Sequence, residues 1–200
     1  MAEVKRDYLN LTQLMKDSGK YLKEEQLEAL LDELEIAYKG EKNVYLAGAG
    51  RSGLVARAFA MRLAHLGIKS CFVQDTVTPK SSEGDLMICI SGSGKTKSTL
   101  GYAERGKEVG LRVIAITSYP NSPLGRLADL VVEVPGRETI ENNNTDYETR
   151  QLRGEHAPFT PMGTLFESNA SCLCDSVISV LAKKFKVREE EMRKRHTDIE

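Results

Sequence analysis

The sequence predicts an α/β fold, a five-stranded parallel sheet between layers of helices, on three observations. Five short apolar runs, at 43–47, 68–73, 85–90, 112–117 and 130–134, are separated by helix-length segments. The runs are apolar throughout rather than alternating, which is the pattern of strands buried on both faces. Two of them end in turns of small residues, Gly48-Ala49-Gly50-Arg51-Ser52-Gly53 and Ser91-Gly92-Ser93-Gly94-Lys95-Thr96. Right-handed crossovers make such a chain a three-layer α/β/α sandwich of flavodoxin-like type. Ligands in these folds bind at the carboxyl ends of the strands, near the reversal of strand order. Both turns therefore belong on one edge of the sheet.

Taken in order, residues 7–39 read as helical, with Leu27, Leu30, Leu31, Leu34 and Tyr38 forming one stripe and Gly40 a stop. The first strand and its glycine-rich turn lead into a helix over 54–66. A strand at 68–73, a loop holding Pro79 and a strand at 85–90 follow. Next come a helix over 96–109, a strand at 112–117, a turn that starts a short helix, and the last strand at 130–134. Residues 136–162 are charged, contain Asn142-Asn143-Asn144 and lack apolar periodicity, so they read as a long loop. From Gly163 the stripe Phe166, Ala170, Leu173, Val177 marks a helix. The charged tail over 187–200 reads as a last helix ending near His196. The whole reads as one domain over 1–200: helices to 40, sheet core 43–135, loop 136–162 and helices 163–200.

Two hundred residues with 40% hydrophobic content are enough to enclose one core. A net charge of −1 gives no basic field for nucleic acid or an anionic membrane. No apolar run approaches the ~18–20 residues of a membrane span, and the first residues lack the apolar core of a signal peptide. Cys71 and Cys89 sit in apolar runs as small hydrophobes. Cys172 and Cys174, two apart, diverge on a helix. Neither a disulfide nor a metal set is expected, and a reducing cytoplasm suits the chain.

The second turn reads as a phosphate grip. Glycines let the backbone approach a ligand, a helix start favours an anion, and Ser91, Ser93 and Thr96 offer hydroxyls. A plain serine- and glycine-rich turn is the competing reading. A nucleotide P-loop would need glycine five residues before Gly94, where Cys89 stands. The first turn matches G-x-G-x-x-G between strand and helix, with Asp75 about twenty residues on, which is the dinucleotide-binding pattern. Against it, Arg51 and Ser52 bring polar groups that a sugar phosphate can use directly. A dinucleotide fold also has no need of the second phosphate-type turn. On this turn alone both readings stay open. Thr164-x-x-Glu167 reads as a capping box, and His196 as a surface histidine.

The two turns together resemble those of the sugar isomerase (SIS) domain. Within it the chain is similar to the 6-phospho-3-hexuloisomerases. Gly50-Arg51-Ser52-Gly53, Ile90-Ser91-Gly92-Ser93-Gly94, Pro135-Gly136-Arg137, Gly163-Thr164-Leu165-Phe166-Glu167 and Lys194-Arg195-His196 carry that likeness. The chain departs from the usual pattern at Ala49, where serine is common, and at Lys95, where glutamate is. The resemblance implies interconversion of 3-hexulose 6-phosphate and fructose 6-phosphate through a cis-enediol, in the ribulose monophosphate route. It implies Glu167 as the base and His196 as an assistant. It also implies substrate contacts from Gly50, Arg51, Ser52, Ser91, Gly92, Ser93, Gly94 and Thr96, with Arg51 pairing the phosphate or polarising the carbonyl. No metal or cofactor is implied. The expected partner is a small sugar phosphate, and the expected assembly a homodimer or homotetramer with sites at subunit interfaces. His156 is a weaker candidate, and His65 reads as structural. The alternatives are another SIS isomerase, such as one for arabinose 5-phosphate, or a non-catalytic sugar-phosphate regulator.

Overall fold

Five parallel strands run through the middle of the molecule in the order β2-β1-β3-β4-β5. The computed structural model of the chain describes residues 2–136 and 164–196. The elements are α1 Ala2–Ser18, α2 Glu24–Lys39, β1 Val44–Gly48, α3 Gly50–Leu66, β2 Ser70–Phe72, β3 Leu86–Ile90, α4 Lys97–Glu108, β4 Arg112–Thr117, α5 Pro123–Leu127, β5 Leu130–Glu133, α6 Thr164–Lys184 and α7 Glu189–Lys194. The expected loop at 136–162, with His156, lies outside the described residues save Gly136, as does the end of the tail.

Every residue of β1 and β3 is buried, which explains their unbroken apolarity. Alternate strand residues face two separate cores. Leu46, Ile88 and Ile114 pack with Leu30 and Leu34 of α2, Phe59 and Leu63 of α3, and Phe166 and Leu173 of α6. Tyr45, Met87 and Val113 face the other way, onto Ala103 of α4 and Leu124 of α5. The three-layer α/β/α sandwich is therefore as expected, with α2, α3 and α6 on one face and α4 and α5 on the other.

Boundaries differ from the expectation in three places. The N-terminal helical stretch begins at Ala2 and is two helices, parted by a 3-10 turn at Gly19–Tyr21. Helix α3 starts at Gly50, so the glycine-rich turn is helical from Gly50 to Gly53. Strand β2 keeps three residues, because it is an edge strand paired only with β1. Helix α6 is long and apolar enough to cross a membrane by length and composition, yet half of that window is buried inside the fold. That burial against the sheet is the mark of a core helix.

Candidate active site

The two small-residue turns meet where the strand order reverses. β1 and β3 are neighbours, with Gly48 paired to Ile90, so Ala49 and Ser91 leave the sheet side by side. The exit from β1 into α3 depends on glycine. A Cβ on Gly48 would stand 2.8 Å from the Ser52 carbonyl oxygen, and one on Gly53 2.9 Å from that of Gly48. Only chains without side chains at both places bring a strand end and a helix start this close.

The second turn is held from below. The Ser91 amide donates to Ile116 O at 3.0 Å, and the Gly94 amide to Ser91 O at 3.1 Å. Gly92 O accepts from the Ser118 amide and from the Thr117 hydroxyl. Gly94 has φ +60°, and a Cβ on it would lie 2.0 Å from Ser122 Oγ, so the turn is seated on the cap of α5. Ser91 Oγ and Thr96 Oγ1 are 3.2 Å apart, and the Lys95 amide donates to Ser93 Oγ. Thr96 flanks α4 without capping it by its side chain. The start of α4 thus keeps amide donors for an anion, which the helix dipole favours.

The carboxylate comes from the opposite layer. A Cβ on Gly92 would meet the Phe166 ring at 2.9 Å, so the first turn of α6 packs directly on the second turn. Its next residue, Glu167, turns toward α3, where Oε1 accepts from Ser52 Oγ at 3.4 Å. One turn back, Thr164 Oγ1 accepts from Arg51 Nη1 at 3.1 Å. The expected capping box is therefore not made: among the described residues, Thr164 and Glu167 spend their side chains on α3. Glu167 Oε2 is buried and has no hydrogen-bond partner among the described residues. Such an atom costs about 1–3 kcal/mol, more if charged, and asks for a functional reason.

Beside this carboxylate a groove of about 790 Å³ opens between α1, α3 and α6, lined by Met15, Arg51, Leu54, Val55, Glu167 and Ser171 among others. The second turn does not line it. The site thus has a turn of hydroxyls and backbone amides on the α4 side and an open groove beside Glu167 on the α6 side.

Other candidates fall elsewhere. Asp75 pairs with Arg57, whose guanidinium also covers the Phe72 ring at 4.1 Å. This carboxylate is engaged with α3, and the dinucleotide reading loses its ribose-binding acid. The His196 ring lies 5.2 Å from that of His65, and Arg195 donates to His65 O at 3.1 Å. His65 is buried, and burial, His196 and Arg62 together lower its pKa. Thirteen residues of α3 separate His65 from Ser52, about 20 Å at 1.5 Å per residue. One chain therefore does not bring His196 to its own Glu167. Burial pushes the thiols of Cys71 up to about 11 and Cys89 up to about 12, and raises Cys174, which leaves these three unreactive.

The SIS domain matches residues 37–152, more than half of the chain. The chain belongs to the SIS domain family. It is 49% identical over 175 residues to an uncharacterised protein of Aeropyrum pernix, covering 88% of this chain and 82% of that one. It is 37% identical over 184 residues to a 3-hexulose-6-phosphate isomerase of Bacillus subtilis, covering 92% of each. Its fold matches a crystal structure of a Methanococcus jannaschii protein for which a 3-hexulose-6-phosphate isomerase function was inferred, with a TM-score of 0.76, 32% identity and full coverage of both chains. As a member of the SIS family it builds its two turns with supports that sequence reading passed over. Phe166 was legible as core and, like Thr117 and Ser118, as part of the family resemblance, but none was read as a support of the second turn. Ser122 carried no signal, because what it supports is a turn more than twenty residues away.

Proposed function

We propose that this SIS protein is a sugar-phosphate isomerase that interconverts 3-hexulose 6-phosphate and fructose 6-phosphate. One observation carries the reading: a carboxylate with one oxygen held, the other buried and unpartnered, tied through Phe166 to a hydroxyl-lined anion turn. The likeness to named 3-hexulose-6-phosphate isomerases supports the choice of substrate over other SIS sugar phosphates.

In this reading Ser91, Ser93, Thr96 and the start of α4 hold the phosphate, while Gly50, Gly92 and Gly94 let backbone come close. Glu167 removes the proton on C2. The C–H electron pair becomes the C2=C3 bond, and the carbonyl pair moves onto O3. The proton on O2 passes to O3, the C2 carbonyl forms, and Glu167 returns its proton to C3. Atoms and electrons balance within the substrate and one carboxylate, so the step needs no metal or redox cofactor. Arg51, which lines the groove, is placed to stabilise the developing enediolate oxygen. His196 enters from a second copy of the chain, because its own copy sits at the far end of α3. The reaction belongs to the ribulose monophosphate route in a reducing cytoplasm.

The test gives purified protein fructose 6-phosphate in deuterated water with no added cofactor. Deuterium at C2 or C3 of the sugars together with a new 3-ketose is the expected result. Tight binding of fructose 6-phosphate with neither outcome would assign the protein to sugar-phosphate sensing instead.

A further inference from the structure

Ser52 is well placed to touch the base. Its side chain is on the first turn of α3, with the residue only 6% exposed. Its neighbours Arg51, Leu54 and Val55 line the groove beside Glu167, but Ser52 does not. Its backbone is seated against Gly48, where a Cβ would stand 2.8 Å from its carbonyl oxygen. Its hydroxyl donates to Glu167 Oε1 at 3.4 Å. Arg51 adds a second point of attachment one turn away, at Thr164. Two adjacent residues of the first turn thus grip one face of α6 at positions three apart, which lie above each other on a helix.

We infer that Ser52 is a positioning residue: its hydroxyl holds Oε1 of Glu167 and so fixes the orientation of the carboxylate that carries the proton between C2 and C3. The inference rests on the isomerase reading and changes the expected part of Ser52, from sugar-phosphate ligand to holder of the base. The chemistry explains the arrangement. A carboxylate free to rotate presents either oxygen at variable distance, whereas a shielded donor on Oε1 holds its plane in one orientation. A misplacement of 1 Å at a reacting atom costs on the order of 100-fold in rate.

The experiment compares wild type with Ser52→Ala and Ser52→Thr. Removal of the hydroxyl is expected to lower kcat about 10- to 100-fold, with KM for fructose 6-phosphate held within about twofold. It should also raise the solvent deuterium incorporated per turnover, because a loosely held carboxylic acid exchanges its proton before returning it. Ser52→Thr keeps the hydroxyl and should recover most of kcat and the low exchange. A raised KM with unchanged kcat and exchange would make Ser52 a substrate ligand and overturn the inference. Crystal structures of wild type and Ser52→Ala give an activity-independent reading. Oε1 bonded to Ser52 in the first, and the carboxylate reoriented in the second, is the expected pair. A wild-type carboxylate turned away from Ser52, with isomerisation intact, overturns the role of Ser52 alone. An intact contact with no isomerisation overturns the isomerase reading, and the C2–C3 role of Glu167 with it.

Discussion

Glu167 bears two loads that a single substitution separates. It lies in the first turn of α6, where the helix dipole favours a negative charge. It also leaves one buried oxygen without a partner among the described residues, which opposes folding. Glu167→Gln keeps shape and removes charge, so turnover should fall at least ~100-fold, the lower end of general-base contributions. The melting temperature should hold or rise as the uncompensated charge is lost. Surviving turnover with a lower melting temperature would make Glu167 a helix-start residue and no base. This ambiguity explains what could be read at the residue scale. Ser91, Ser93 and Thr96 are read as an anion-holding turn from a single short stretch, because their hydroxyls and glycines lie within six residues. Glu167 spelled a capping box in sequence, since Thr164 and Glu167 have the right spacing. Nothing local reveals that both instead bond to Arg51 and Ser52, more than a hundred residues earlier.

At the scale of elements, strands were legible where both faces are buried and less so at the edge. β1, β3 and β4 follow their apolar runs, whereas β2, paired on one side only, is shorter than its run. The start of α3 was hidden because glycines carry poor helix propensity; packing of Gly53 on Gly48 outweighs it. What ties the elements on the α4 side is Asp129, just before β5. Its carboxylate accepts from Lys107 of α4 and from the Val113 amide of β4 at 2.8 Å. Burial alone would raise its pKa, but the Lys107 and Val113 hydrogen bonds, with the charges of Lys107 and Arg112, prevail and lower it. A carboxylate lowered by folding contributes stability above its ordinary value of 3.8 and loses it as pH falls through the folded value. Asp129→Asn preserves an acceptor for Val113 and removes the charge together with the acceptor for Lys107. For a partly exposed pair worth about 1 kcal/mol or less, its melting temperature should lie about 2–4 °C below wild type at pH 7. The two proteins should converge below pH 3.8. A gap that stays constant across that range would trace the effect to packing rather than charge.

At the scale of the whole molecule, the site is open on one side and the tail is stranded on another. Leu54 is 67% exposed beside the groove, and Met61, two turns along the same face of α3, is 51% exposed. These apolar residues are the kind of surface that a second copy covers. In a twofold dimer any contact made by the first chain to the second is repeated in reverse. In such a dimer the tail of each copy is expected to reach the groove of the other. The His65 contact and the Arg195 bond fix its starting point on α3, about 20 Å along the helix from Ser52. Mixing subunits tests this without a structure of the assembly. Glu167→Gln chains keep His196, His196→Ala chains keep Glu167, and each protein alone should be weakly active. In a mixed dimer one site combines both native residues and the other has lost both. Random pairing of equal amounts should therefore recover about a quarter of wild-type activity. No gain over the two separate proteins would confine each site to one chain, and full activity of His196→Ala alone would remove the histidine from the reaction.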